Sequence, residues 1–301
     1  MILYKYTSEF AGLKTLLQRE IRFTQINALN DPFESHLPVT ELITDSTLSN
    51  MLDSFVVDDD FFNLVVELTV DQLYSKLDEN FKNRFPKNVF STYVLNQVKL
   101  EVLQRGQSLQ SFVYDMVQNK KQQFIADARN RIPDLLGDEI AILSLSTICD
   151  NEVMWSHYAD SHRGIAIGFN AEYGFFENII EVKYQSKRPP IDGTQKLSRV
   201  EFISTICGIK NEAWAYEQEY RLVESVRALR DTGEKDVRNV PVFVKQFEPS
   251  MIHSIIFGCH NTEKTSQSIS SELSKADYSH VKLYHSKLDK ENRKLTIESF
   301  N

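Results

Sequence analysis

Of the ten glycines in this 301-residue chain, Gly106 alone falls within residues 40–135. Glycine marks tight turns and close backbone approaches, so a long stretch that avoids it turns rarely. Apolar residues there recur at helical spacing, as in Phe61, Val65 and Leu68, or Phe112, Met116 and Val117. Pro86, Pro133 and Gly106 are the interruptions, and the pattern predicts four or five helices broken near Pro86 and Gly106. The block holds 14 Asp and Glu against 10 Lys and Arg. That balance makes a poor clamp for nucleic acid.

The two ends of the chain read differently. At the start, Ile2, Tyr4 and Tyr6 alternate with Leu3 and Lys5, the period of a half-buried strand. A short helix with Leu13, Leu16 and Leu17 on one face follows, then a strand containing Ile21 and Phe23, then the turn Asn30-Asp31-Pro32-Phe33-Glu34. Beyond residue 136, strands are expected at 141–146, 164–169, 179–184, 221–225, 241–247, 254–258, 281–285 and 294–299. A helix opens at Ser198, with Glu201 completing a capping box and a stripe of Val200, Ile203, Ile206, Cys207 and Trp214. Residues 230–238, RDTGEKDVR, read as a polar, mobile loop. The expected class is α/β (α+β), with a mixed or antiparallel sheet core drawn from both chain ends. Residues 1–38 plus 136–301 form that core, and 39–135 a helical insertion or subdomain.

Composition narrows the function classes. There are 34 Lys and Arg against 42 Asp and Glu, net −8, so no global cationic surface faces DNA or an anionic membrane. Cys149, Cys207 and Cys259 are odd in number and widely spaced, which argues against a disulfide framework or a zinc ribbon. The opening residues lack a signal-peptide pattern, and no run of apolar residues reaches the ~18 needed to cross a bilayer. A cytoplasmic protein is expected. The phosphate-binding loops G-x-G-x-x-G and G-x-x-x-x-G-K are absent, as is the G-x-S-x-G elbow.

Four segments could carry chemistry. In the first, Asp150 can cap a helix bearing Met154, Trp155, His157 and Tyr158, whose Trp, His and Tyr can line a pocket for a flat ring. A core helix with satisfied Trp and Tyr polar atoms is the plainer reading. His157 and His162 lie about 140° apart around such a helix and do not share a face for metal. In the second, Glu217, Glu219 and Arg221 fall on one side of an extended chain, with Glu217 at the junction and the strand beginning at Glu219. Two adjacent carboxylates offset by an arginine suit contact with a ribose or activation of a nucleophile. As the last turns of a helix, Glu217 and Arg221 would be only an i,i+4 surface pair. The third, Glu181-Val182-Lys183, resembles the Glu-x-Lys of metal-dependent nucleases, with Asp134 or Asp31 as partner, though the tripeptide is common on solvated strands. The fourth is the Asn30–Glu34 turn, whose plain reading has Phe33 plugging the core and whose functional reading brings Asn30 or Asp31 to the pocket of Glu219.

In this order, Leu3-Tyr4-Lys5-Tyr6, Ile21-Arg22-Phe23-Thr24, Asn30-Asp31-Pro32-Phe33-Glu34, Met154-Trp155-Ser156-His157-Tyr158-Ala159-Asp160, Gly164-Ile165-Ala166-Ile167-Gly168-Phe169, Val182-Lys183-Tyr184, Trp214-x-x-Glu217-x-Glu219-Tyr220-Arg221 and Ile255-Ile256-Phe257-Gly258 resemble the bacterial domain-of-unknown-function family 2971. The resemblance runs nearly end to end, with 40–135 the variable part. The layout is also distantly similar to the ADP-ribosyltransferase fold, especially its nucleic-acid-modifying branch. That similarity implies NAD as substrate, with no metal. It places Tyr6 or Lys5 on NAD, Trp155 or Tyr158 against nicotinamide, and Glu219 on the ribose with Glu217 beside it. His157, Asn30, Asp31 and Arg221 complete the expected pocket. The first strand departs from the usual classes in lacking their Arg or His.

The leading expectation is therefore an ADP-ribosyltransferase-like enzyme or NAD hydrolase, of the kind found among bacterial toxins and phage-defence effectors. Its acceptor would be a protein or a nucleic acid, and a homo-oligomer is compatible with the sequence. A Mg-dependent nuclease using Glu181 and Lys183 is one alternative. A non-catalytic ligand or protein sensor is the other.

Overall fold

The computed structural model describes residues 1–35, most of 70–127, 137–187 and 199–299. The chain divides into two compact units, one built from Met1–Leu42, Ile132–Pro189 and Leu197–Asn301, the other from Ile43–Arg131 and Pro190–Lys196. The first unit begins with β1 (Ile2–Thr7), α1 (Glu9–Gln18), β2 (Glu20–Gln25) and the one-turn helix α2 (Pro32–Ser35). Ser8 caps α1 by accepting from Ala11 N–H, and Arg19 ends it in the left-handed region at φ 54°.

In the second unit, α3 (Glu79–Arg84) and α4 (Lys87–Gln104) are separated at Pro86, where the sequence places a break. Asp78 caps α3, accepting from Phe81 N–H at 2.9 Å. Phe61, Val65, Leu68, Phe112, Met116 and Val117 lie outside the described residues.

The first unit resumes with β3 (Ile140–Ser146), α5 (Glu152–Tyr158), β4 (Ile165–Asn170), β5 (Ile180–Glu181), β6 (Lys183–Tyr184), α6 (Arg199–Cys207), β7 (Ile209–Lys210) and β8 (Glu219–Ser225). It closes with β9 (Arg230–Lys235), β10 (Pro241–Gln246), β11 (Ile252–Phe257), α7 (Glu263–Leu273), β12 (Lys282–Asp289) and β13 (Lys294–Ser299). An 11-stranded sheet runs β13-β12-β11-β4-β1-β3-β2-β10-β9, with β8 on β3 and β5 on β8. It is mixed, because β11 and β12 pair in parallel while its other pairs are antiparallel. The fold is α/β, with the sheet drawn from both ends of the chain. Among the described residues no helix is long and apolar enough to cross a membrane.

Alternation on the strands fills both faces of the sheet. Leu3, Leu143, Leu145, Ile165, Ile167 and Ile255 pack with Leu16 of α1 and Ile269 and Leu273 of α7. On the other face, Tyr6, Ala166 and Ile256 pack with Met154, Trp155 and Ala159 around α5. Among the described residues none of the three cysteines forms a disulfide.

Several local expectations are corrected. Residues 230–238 are not a loop throughout, since β9 pairs with β10 as an edge strand. Helix α6 stops at Cys207, and Trp214 belongs to a separate 3₁₀ turn, Glu212–Glu217; Ser198 lies outside the described residues. Asn151, not Asp150, caps α5, its side chain accepting from Val153 and Met154 N–H at 2.9 and 3.0 Å. Leu17 is exposed while Leu16 is buried, and Phe33 is 75% exposed, so it does not plug the core.

Candidate active site

Strands β1 and β2 lie on the same edge of β3 but at different ends of it. Tyr4 of β1 pairs with Ser146, whereas Thr24 and Gln25 of β2 pair with Ile142 and Ala141. Between those contacts the edge of β3 has no strand partner among the described residues, and Lys5 Nζ donates to the Ser144 carbonyl at 3.1 Å where a ladder bond would otherwise run. A cavity of about 240 Å³ opens at this fork.

Its floor is a buried ion cluster. Arg221, on β8 opposite Ser144, donates from Nε to Glu219 Oε1 at 2.8 Å and from Nη2 to Glu219 Oε2 at 2.7 Å. The same Nη2 reaches Glu34 Oε1 at 2.8 Å, and Nη1 donates to the Cys207 carbonyl at 2.6 Å. Lys210 Nζ donates to Glu217 Oε2 at 2.6 Å and to Glu219 Oε2 at 3.1 Å, and sits 4.7 Å from the centre of the Trp214 ring. Tyr158 donates its hydroxyl proton to Glu217 Oε1 at 2.6 Å.

Local sequence sets this geometry. Asn211 caps the 3₁₀ turn by accepting from Ala213 N–H, and Gln218 adopts the left-handed region at φ 42°, ψ 57°. The chain then enters β8 with Glu219 and Arg221 on one face, two residues apart. Glu217, just before the reversal, is turned onto the same cluster. The sequence reading of a strand starting at Glu219 agrees with this placement.

The charges respond to burial and to one another. Burial pushes the Glu219 carboxyl up, but Arg221 and Lys210 outweigh it and hold it at about 2. For Glu34 burial prevails over the same two cations, and its carboxyl is raised. Burial, then the Glu217 charge, push the Tyr158 phenol well up, so it stays a proton donor. Burial drives Lys5 down to about 8, with Glu219 opposing the shift and Arg22 adding to it.

At the mouth, Arg22 Nη2 donates to Asp236 Oδ2 at 2.8 Å, and Arg238 approaches the same oxygen at 3.6 Å. Asp236 also accepts from Arg238 and Val240 N–H, tying the β9–β10 turn to β2. Burial pushes its carboxyl up, yet these donors hold it at about 2.

Of the residues singled out from sequence, Lys5, Tyr6, Asn30, Asp31, Tyr158, Glu217, Glu219 and Arg221 line this cavity. Trp155 does not. It is fully buried, donates Nε1–H to the Cys149 carbonyl at 2.8 Å, and meets Tyr6 edge-to-face at 5.2 Å. His157 is exposed and stands 3.4 Å from the Tyr216 hydroxyl. Glu181 and Lys183 are both exposed and away from the cavity, and Asp134 lies outside the described residues. Among the described residues, no group of three or more His, Cys, Asp and Glu is arranged to hold a metal ion. Sequence reasoning missed Glu34, Lys210, Arg22 and Arg238. Glu34 and Arg22 had a signal, their places in the Asn-Asp-Pro-Phe-Glu and Ile-Arg-Phe-Thr motifs.

Fold and cavity together define an α/β protein whose mixed sheet forks over a buried cluster of glutamates, arginine and lysine. Residues 154–222 match the family described as "Protein of unknown function (DUF2971)", which bears out the resemblance to the domain-of-unknown-function family 2971 over that stretch. No curated protein and no solved structure matches the chain. The matched stretch supplies Tyr158, Lys210, Glu217, Glu219 and Arg221. Lys5, Arg22, Asp31 and Glu34 come from outside it.

Proposed function

We propose that this protein consumes NAD at the fork cavity, as an ADP-ribosyltransferase-like enzyme or an NAD hydrolase. The observation that carries the reading is the convergence of Glu217, Glu219, Tyr158 and Lys5 on one cavity. Cleavage breaks the bond between ribose C1′ and the nicotinamide nitrogen. The electron pair leaves with nicotinamide, which becomes neutral, and positive charge develops on the ribose. A carboxylate fixed beside C1′ stabilises that charge without having to reorganise.

Glu217 suits this role better than Glu219. It accepts one side-chain bond on each oxygen, from Tyr158 and Lys210, and keeps lone-pair directions for the ribose hydroxyls. Glu219 takes two bonds from Arg221 and one from Lys210, and acts as the anchor that holds both cations. This exchanges the roles that the resemblance implies for the two glutamates. Water or a macromolecular nucleophile then bonds to C1′ and gives up its proton to solvent. Lys5, Arg22 and Arg238 bring to the cavity the positive charge that a dinucleotide's phosphates need. The nuclease alternative gains no support, because Glu181 and Lys183 are exposed and neither lines the cavity.

The test is nicotinamide release from NAD by the purified protein, with cell RNA and protein supplied as acceptors and with or without EDTA. Release is expected from wild type regardless of EDTA, and to fall about 100-fold or more in Glu217→Gln. Folded wild-type protein that releases nothing overturns the reading. Stabilisation by NAD without turnover would make it a sensor.

A further inference from the structure

We infer that Asp31 selects the carboxamide of the nicotinamide ring, accepting a hydrogen bond from its amino group and excluding the corresponding carboxylic acid. The inference rests on the NAD reading for the identity of the ligand. It begins from a polar atom whose hydrogen-bonding need the protein does not meet. Asp31 is 2% exposed and lines the cavity. Its Oδ1 accepts from Phe33 N–H at 2.9 Å and its carbonyl from Glu34 N–H at 3.0 Å, so the turn fixes the side chain. Its Oδ2 is buried and has no partner among the described residues.

A buried carboxylate oxygen without a donor is costly, and such atoms are rare unless something else supplies the bond. The other acids of the cavity differ in this respect. Glu34, Glu217 and Glu219 are each engaged by Lys210, Arg221 or both. Arg22 presents the complementary case, since its Nε is buried with no acceptor among the described residues and lines the same cavity. The ligand therefore meets one unmet acceptor and one unmet donor. A primary carboxamide carries an NH₂ and a C=O on one carbon and can address both.

Size narrows the choice of donor. At about 240 Å³ the cavity falls below the roughly 300–1,000 Å³ of pockets that enclose drug-sized ligands. It has room for one end of a dinucleotide, and with Glu217 beside C1′ that end is the nicotinamide–ribose, which leaves the adenine amino group outside. The ribose hydroxyls go to Glu217. The N–H donor left for Asp31 is the carboxamide.

The experiment compares binding of NAD and of its nicotinic acid analogue, which carries a carboxylate in place of the amide, by calorimetry on the full chain. Wild type is expected to bind NAD about 100-fold more tightly, since like charges juxtaposed in a buried site repel strongly. In Asp31→Asn the preference should collapse to within about threefold, because the amide side chain can donate to the acid and still cap the Phe33 N–H. Equal affinity of wild type for both dinucleotides overturns the inference and leaves the NAD reading standing. If neither binds, the NAD reading fails and the inference falls with it. The wild-type comparison alone decides between these outcomes, whatever the stability of the variant.

Discussion

Lys210 is the residue on which the buried cluster turns, because it faces Glu34, Glu217 and Glu219 at 3.9, 2.6 and 3.1 Å. Removing one partner of a buried ion pair leaves charge uncompensated and costs about 3–5 kcal/mol. Lys210→Met should therefore lose about that much in urea denaturation at pH 7, far more than an exposed lysine would. Glu219 makes the second prediction. Its folded carboxyl titrates at about 2 against an ordinary 4.5. The unfolded chain thus takes up the proton first, so this contribution is fully present above about pH 4.5 and is lost as pH falls toward 2. Glu219→Gln should be less stable than wild type at pH 7, and the gap should close on acidification through that window. A gap that stays constant would show that Glu219 does not carry the acid sensitivity. Glu219 and Arg221 could be found from sequence because a strand places them together two residues apart. Glu34 reaches Arg221 across 187 positions, and no local pattern announces such a pair. Nor does any local pattern announce Lys210, a lone lysine within a two-residue strand.

At the scale of elements, legibility followed periodicity. The strands with apolar alternation or continuous apolar runs, such as β3, β4 and β11, were evident because both sheet faces are covered. Strand β9 was read as a loop because it is a sheet edge, with only Thr232 less than exposed in Arg230–Lys235, and charged edge residues carry no apolar period. Helix α5 shows the limit of composition. Met154 and Tyr158, i and i+4, line the cavity together, while Trp155, one position round, enters the core. Between α5 and β4 the chain passes through Asp160, Ser161 and His162 at φ 48, 53 and 68°, then Gly164. A Cβ on Gly164 would stand 2.1 Å from the Thr7 carbonyl oxygen, backbone that cannot swing aside. Gly164→Ala should cost about 2–3 kcal/mol in chemical denaturation. At Gly174 an added Cβ would meet nothing within 4 Å, so alanine should be accepted there within about 0.5 kcal/mol.

For the molecule as a whole, every described residue lining the cavity belongs to the first compact unit, and the pH response of that unit joins two opposite shifts. Glu219 withdraws stability as pH falls below about 4.5. Lys5 acts at the other end, its folded amine at about 8 against an ordinary 10.5. Between those values the unfolded chain still holds a proton that the folded chain has released, so stability rises with pH across the window. The groups acting on Lys5 are Glu219, which opposes the shift, and Arg22, which adds to it. A phosphate bound beside Lys5 would counter both burial and Arg22 and raise the amine toward its ordinary value. Binding of ADP-ribose above pH 8 should then draw a proton from solution, up to about one per site, whereas at pH 6.5 Lys5 is already charged and uptake should vanish. Calorimetry in buffers of different ionisation enthalpy measures that proton directly. Uptake near pH 8.5 in wild type but not in Lys5→Arg, whose guanidinium stays charged, would place the phosphates at the fork. Equal uptake in both proteins would move them elsewhere.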